Sequence, residues 1–145
     1  MYYHFRSKED LFATVHAEGF KQLNQAVDQA LRDETDPWRR LEAACAAHIR
    51  QLVEGNEVLL VTGTSLFHVA GPALNRRLTR ERDRYEERFR SMIAALPLPG
   101  DVDRTLFRLS LLGALNWTHV WYRPGRKTPA QIAQQLVAKI FKPRV

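Results

Sequence analysis

Histidine and cysteine are the side chains best suited to metal binding or nucleophilic chemistry, and their spacing in this sequence favours neither. No two histidines stand four residues apart, and there is no His-Glu-x-x-His pattern. The five histidines are His4, His16, His48, His68 and His119. The single cysteine, Cys45, excludes a disulfide framework and a multi-thiolate zinc site. We therefore predict no metal site, and a chain with so little cysteine is typical of the cytoplasm.

Patterns of the common catalytic sites are also missing. The sequence contains no glycine-rich phosphate loop, no nucleophile elbow and no constellation of paired carboxylates. We therefore predict that the protein is not an enzyme and uses no cofactor.

His48 has the most informative setting of the histidines. It falls on one helical stripe with Leu41, Cys45 and Leu52, which are apolar. Two interpretations follow: a buried histidine satisfied by its neighbours in the core, or a polar anchor for a ligand held inside a helix bundle. Cys45, on the same stripe, is expected to be an inert small hydrophobic residue.

Arginine is concentrated between residues 76 and 90, a segment that contains seven arginines and four acidic residues. Pairs such as Arg77 with Glu81 and Arg82 with Glu86 stand four residues apart, which is typical of a solvated helix face. The alternative is recognition of phosphate groups, because the surplus of positive charge suits such a ligand.

Composition places the chain among ordinary globular domains. It has 145 residues, of which 45% are hydrophobic and 26% are charged. The longest nearly apolar stretch, 58–71, is too short to span a bilayer, so we expect no membrane partner. The net charge of +6 is compatible with a polyanionic partner without requiring one.

The elements that position these side chains all have helical periodicity. No stretch alternates in the manner of a strand, and the turn signals fall between long segments of helical period. We predict one all-α domain of about six helices. They run from Ser7 to about Arg32, from Asp36-Pro37 to Gly55-Asn56, over 58–69, over 74–96, from Asp101 or Asp103 to about Tyr122, and from Thr128-Pro129 onward.

The helix predicted over 103–122 is apolar on every side, so it must be covered on every side. It either runs through the centre of the domain or is shared with a second chain. The last helix also carries an apolar stripe and follows after a short loop, so two such pairs would close a four-helix bundle across a homodimer. The predicted interface residues are Leu106, Leu109, Gly113, Trp117, Val120, Trp121, Ile132, Leu136 and Ile140.

Residues 2–11, with the sequence YYHFRSKEDL, resemble the segment that joins the recognition helix to the regulatory domain in the TetR family of bacterial repressors. The resemblance implies contacts to the DNA backbone from Tyr2, Tyr3, His4 and Lys8, and these residue types suit phosphate positioning. The alternative is that Tyr3 and Phe5 pack the junction while Lys8 is merely solvated.

The helices that form the DNA-binding head in that family would precede this segment. The resemblance therefore implies that residues 1–6 are a remnant of the recognition helix and residues 7–145 are the ligand-binding and dimerisation domain. As written, the chain lacks a complete head and is expected not to bind an operator specifically. A truncated product or a start codon assigned inside a longer gene would each explain this, and DNA is a partner only if the missing helices exist.

Residues 112–125 (LGALNWTHVWYRPG) and 128–133 (TPAQIA) resemble the C-terminal region of TetR-type regulators of fatty-acid or sterol degradation. This implies a small apolar or amphipathic ligand such as an acyl-CoA thioester. The expected pocket residues are His48, Leu52, Phe67, Phe89, Met92, Leu111 and Asn116.

The leading hypothesis is thus the sensing and dimerising domain of a repressor. Ligand binding would favour a dimer geometry that no longer matches the DNA half-sites, with the helix over 7–32 as the lever. Two alternatives stay open: a headless partner that inhibits a full-length paralogue, and a nonspecific polyanion binder.

Overall fold

Every regular element in the described part of the chain, residues 6–55 and 71–144 of this computed structural model, is helical. The predicted all-α fold is therefore confirmed, and the segment predicted over 58–69 lies outside the described residues. The helices are α1 (Lys8–Leu31), α2 (Pro37–Val53), α3 (Pro72–Ala94), α4 (Arg104–Trp121) and α5 (Pro129–Gln134), which continues as a π-helical segment (Gln135–Phe141).

Side-chain caps determine where four of the five described helices begin, as the sequence predicts. The Ser7 hydroxyl accepts a hydrogen bond from the third residue beyond it, and the Asp36 carboxylate does the same at α2. Asp103, one of the two candidates for α4, accepts from the two backbone N–H groups at 105 and 106. Thr128 forms a reciprocal capping box with Gln131 at the start of α5.

The central helix of the domain is α2, because it packs against all the others. Its buried residues spread over most of its circumference: Leu41, Ala44, Cys45, Ala47, His48, Ile49 and Leu52. Burial, reinforced by the nearby Glu42 carboxylate, raises the pKa of the Cys45 thiol, so it stays protonated and unreactive in the core. The interpretation of α4 as the helix through the centre is therefore wrong.

Helix α4 instead lies at the surface and covers α2 with one face. Its buried residues are Phe107, Leu111, Leu112, Leu115 and Thr118. The opposite face is apolar and exposed, which leaves the second interpretation, a helix shared with another chain.

Arg104 ties the start of α4 to the end of α3. Its guanidinium donates hydrogen bonds to the backbone carbonyls of Ile93 and Leu96, the latter over 3.1 Å. Each carbonyl also accepts from a backbone N–H, that of Ile93 from Leu96 and that of Leu96 from Leu98, so Arg104 adds a charged donor to both carbonyls.

We expect Arg104→Met to lower the free energy of unfolding by about 1–3 kcal/mol, because it leaves these carbonyls without their charged donor. Arg90→Met is the matched control, since the only partner of Arg90 among the described residues is the exposed Glu87, at 2.9 Å, and such pairs contribute about 0–1 kcal/mol. Urea unfolding measures both. Equal losses of stability in the two variants would show that the tie contributes nothing beyond a surface ion pair.

Candidate functional site

Three polar side chains from three helices meet beside the core. The Tyr85 hydroxyl lies 2.7 Å from His48 Nδ1, and Asn116 Oδ1 lies 2.8 Å from His48 Nε2. An amide oxygen only accepts, so Nε2 carries the proton, and Nδ1 accepts from the tyrosine hydroxyl. Helices α2, α3 and α4 thus each contribute one member of a trio in which both nitrogens of the imidazole are engaged.

The trio is held in an uncharged state. Burial lowers the pKa of His48 from 6.5 to about 4, although the hydrogen bond to Asn116 raises it slightly. Burial also raises the pKa of Tyr85 well above its usual value. At neutral pH the trio therefore offers fixed hydrogen bonds rather than charge, and a histidine with this pKa is a poor general base.

Aromatic rings surround the trio and extend it along α1. The rings of Tyr85 and Phe89 are 5.4 Å apart, and that of Phe89 stands edge-on to His48 at 6.2 Å. On the other side, Phe20 lies 5.9 Å from Tyr85 and 4.8 Å from His16. These rings form one continuous aromatic row from α2 to the first half of α1.

His16 is a buried histidine that sequence reasoning missed. It is 1% exposed, and its Nε2 has no hydrogen-bond partner among the described residues. Burial lowers its pKa from 6.5 to about 4. The signal available in the sequence is that His16 stands between Phe12 and Phe20 at four-residue spacing, which places all three on one face of α1. A buried nitrogen without a hydrogen-bond partner lowers the free energy of unfolding, unless a ligand supplies the missing hydrogen bond.

The structure brings some of the predicted pocket residues together. His48, Phe89 and Asn116 are in contact, with the exposed Asn116 at the edge of the group. Met92 and Leu111 belong to the same buried core as Phe89, and Leu52 is buried one turn beyond His48. Phe67 lies outside the described residues. Tyr85, which the sequence does not predict as a pocket residue, is the member that reasoning missed.

A separate cleft of about 540 Å³ lies at the other end of α2, and none of the predicted pocket residues lines it. It is bounded by Trp38, the segment 97–99 and residues Lys142, Pro143 and Arg144. The Lys142 ammonium stands 5.4 Å from the centre of the Trp38 ring, a cation–π contact that already occupies the indole.

The exposed face of α4 carries an apolar stripe, here called the α4 stripe. It consists of Leu106, Leu109, Gly113, Trp117, Val120 and Trp121. The five large side chains are between 48% and 62% exposed. Ile140, on the π-helical segment, is 69% exposed. Burial of so many large apolar groups against a partner would be strongly favourable.

Two other predicted interface residues lie elsewhere. Ile132 is 4% exposed and belongs to the core of the chain itself, so its assignment to a dimer interface is wrong. The reason is that α5 packs closely on α2 and turns Ile132 toward it. Leu136 is half-buried against the same core.

The charged face of α3 differs in part from its prediction. Arg82 pairs with Glu86 at 4.0 Å, as the spacing predicts, whereas no ion pair joins Arg77 to Glu81. Further along, Arg88 crosses to α1, where it pairs with the Asp28 carboxylate and donates to Asn24 Oδ1 over 2.8 Å. The α1–α3 packing is thus fixed by charge at its C-terminal half.

Of the residues expected at a DNA backbone, Lys8 is exposed as the first residue of α1, and Tyr2, Tyr3 and His4 lie outside the described residues. Within residues 6–55 and 71–144, no three His, Cys, Asp or Glu side chains converge on a metal-sized site. No helix there is both long and apolar enough to cross a bilayer.

Comparison with known proteins places these features in a family. The model of the family described as "Tetracyclin repressor-like, C-terminal domain" matches residues 34–142. Among solved structures, AibR in complex with isovaleryl coenzyme A and operator DNA is 24% identical, with a TM-score of 0.79 over 97% of this chain and 78% of that chain. No curated protein sequence matches this one.

Two further structures share the fold. PfmR, a TetR family transcriptional regulator from Thermus thermophilus, is 25% identical, with a TM-score of 0.79 over 98% of this chain and 76% of that chain. A TetR-family transcriptional regulator from Bordetella parapertussis 12822 is 20% identical, with a TM-score of 0.78 over 93% and 73%.

Proposed function

The chain belongs to the family of tetracyclin-repressor-like C-terminal domains, and on that premise we propose that residues 7–145 are the ligand-sensing and dimerising domain of a TetR-like transcriptional repressor. The predicted family is confirmed. Its members are transcriptional regulators rather than enzymes, which confirms that the chain is not an enzyme. We propose the cytoplasm as its location, because a regulator of this kind acts where the chromosome is.

The observation that carries this proposal is the α4 stripe. An exposed surface of this length, with two tryptophans, marks an interface rather than a solvated helix face. A second copy of the chain suits this surface, because a twofold axis places the α4 stripe of one chain against the same stripe of the other. Helix α4 and the exposed Ile140 after α5 would then meet their counterparts in a four-helix bundle.

For the ligand, we propose an amphipathic molecule of the acyl-CoA class. Sites for such ligands combine apolar walls with a few polar anchors, and the trio beside Phe89 has that composition. The trio uses only the oxygen of the Asn116 amide, so the N–H groups of this amide can donate hydrogen bonds to a thioester carbonyl. The structure of AibR with isovaleryl coenzyme A supports this ligand class, as does the resemblance of residues 112–125.

The proposed mechanism is a population shift in which a ligand favours one position of α1. This helix begins at Lys8, where a DNA-binding head joins in related proteins, and it carries His16 inside the domain. The aromatic row connects His16 to the trio, so a ligand at the trio would contact a helix whose position affects the spacing of the heads.

The test is thermal unfolding in the presence of a series of acyl-CoA thioesters of increasing chain length. A thioester at a hundred times its Kd is expected to add about 2.7 kcal/mol to the free energy of unfolding, which raises the Tm by several degrees. Free CoA at the same concentration should have a smaller effect, because it lacks the acyl group.

Asn116→Ala is expected to lose most of the thioester-induced rise in Tm. Thr105→Ala is the matched control, since it removes an exposed polar group of the same helix outside both the trio and the α4 stripe. If no thioester of any chain length raises the Tm of the unaltered protein, the proposed ligand class is wrong.

A further inference from the structure

The contacts between helices define two ends of the domain. The start of α3 lies beside the start of α1, because a Cβ on Gly71 would stand 3.4 Å from the Glu9 carboxylate oxygen. Leu74 and Leu78 then pack with Ala13 one turn further along both helices. Helices α1 and α3 therefore run in the same direction from one end, here called the Lys8 end.

The loop between α4 and α5 lies at that same end. Helix α2 returns from the far end of α1 after a short turn. Helix α4 runs beside α2 in the same direction, because the ring of Trp38 lies 6.4 Å from that of Phe107 and His48 is hydrogen-bonded to Asn116. Phe141 lies 5.4 Å from Phe107, so α5 runs back to the far end. The end of α4 and the start of α5 thus both belong to the Lys8 end.

The connections between helices differ in charge at the two ends, although the Lys8 end also carries Glu9, Asp10 and Glu54 and the helices at the far end also carry cations. Between α4 and α5, residues 122–128 contain three cations and no acid. At the far end, the connections over 32–36 and 95–103 contain five carboxylates and one arginine. The three cations, Arg123, Arg126 and Lys127, are all exposed.

The first turns of α3 add a second group of cations to the Lys8 end. The side chains of Arg76, Arg77 and Arg80 are exposed, and none of them forms an ion pair or a hydrogen bond within the described residues. Further along α3, Arg82 and Arg88 are engaged with carboxylates. Arg84, just past the middle of α3, is also exposed and has no ion pair among the described residues, so the unpaired cations run from Arg76 to Arg84, in the part of α3 that begins at the Lys8 end.

We propose that this basic end, formed by Arg76, Arg77 and Arg80 of α3 and by Arg123, Arg126 and Lys127 of the α4–α5 loop, is a docking surface for the phosphates of duplex DNA. The charge is spread over two separate elements, which suits the extended phosphate array of a duplex better than one small anion. Loop and helix-side cations contact phosphates without reading bases, so the surface adds affinity and orientation, not sequence preference. The inference rests on the proposed function, and it assigns a DNA contact to the regulatory domain itself.

The experiment measures binding of the full 145-residue chain to a fluorescent 30-base-pair duplex of arbitrary sequence by anisotropy, between 25 and 150 mM KCl. The test variant reverses three charges at the Lys8 end, Arg123→Glu, Arg126→Glu and Lys127→Glu. The matched control reverses two exposed arginines and one exposed lysine at the far end, Arg32→Glu, Arg39→Glu and Lys139→Glu. Both variants change the net charge equally, and circular dichroism verifies that both are folded.

The expected result is that the test variant binds at least tenfold more weakly than the control at 50 mM KCl. The slope of log K against log salt should fall in magnitude by about 3 for the test variant, because three cations no longer neutralise phosphates, and by less than 1 for the control.

Three outcomes would overturn the proposal. Equal weakening of binding in the two variants would assign the binding to net charge alone. No binding by the unaltered protein at 25 mM KCl would show that the surface does not bind DNA. Binding to phosphatidylglycerol vesicles that depends on the same three residues, without binding to DNA, would assign the surface to a membrane. Failure of the proposed function would instead appear in the thioester and dimerisation measurements, which do not involve these cations.

Discussion

Val120→Asp is expected to convert a dimer into a folded monomer. Val120 lies on the α4 stripe and is 53% exposed in the single chain, so the aspartate is solvated there and the fold of the monomer is retained. In a dimer the same carboxylate would be buried without a partner, and twofold symmetry would place two of them in one interface. An unpaired buried charge costs several kcal/mol, which corresponds to an increase in the dissociation constant of about a thousandfold.

Sedimentation equilibrium measures this directly, because the chain mass is 16.8 kDa and the unaltered protein should sediment at twice that mass. Val15→Asp is the matched control: Val15 is 47% exposed, but it lies on α1, away from the stripe. The control should remain dimeric. A monomeric unaltered protein, or loss of the dimer in both variants, would contradict the assignment of the interface to α4.

Acid is expected to destabilise the protein by several kcal/mol between pH 6.5 and pH 4. Burial lowers the pKa of both His16 and His48 from 6.5 to about 4, so over this range the unfolded chain binds two protons that the folded chain does not. Stability is fully present above pH 6.5 and declines as the pH falls toward 4. Each histidine accounts for a loss of about 3 kcal/mol, and the sum is comparable to the whole stability of an ordinary domain.

His16→Phe should remove about half of this dependence, because the ring is kept between Phe12 and Phe20 while the titrating group is lost. The variant should also be at least as stable as the unaltered protein at pH 7.5, since it removes a buried nitrogen without a partner. Urea unfolding from pH 8 to pH 4 measures both effects. Above pH 7 the two stability curves should run parallel, and a constant difference down to pH 4 would show that His16 does not titrate in this way.

The helix boundaries could be predicted from the sequence because their determinants are local. Ser7, Asp36 and Thr128 each act within three residues, so the sequence shows both the cap and the helix that follows it. The choice of central helix could not be predicted, because it depends on which faces other helices cover. Helix α4 is more apolar than α2, yet α2, with its small residues, is the helix that the others pack against.

Only part of the candidate site could be predicted from the sequence, for the same reason. His48 could be recognised from its place on an apolar stripe, but its two partners stand 37 and 68 residues away. Whether Ile132 faces α2 or a partner chain is likewise decided by packing, since both surfaces require an apolar residue. His16 differs again: its distinguishing property is a missing hydrogen bond, which no local pattern encodes.

The charged attachment of α1 to α3 has a mechanical consequence. Arg88 holds α1 at Asn24 and Asp28, whereas the half of α1 that contains His16 has apolar and aromatic contacts that can slide. A rigid helix that pivots at Asn24 has arms of about 12 Å to His16 and about 24 Å to Lys8. A displacement of about 1 Å at His16 therefore becomes about 2 Å at Lys8, so the pivot doubles any movement on its way out of the domain.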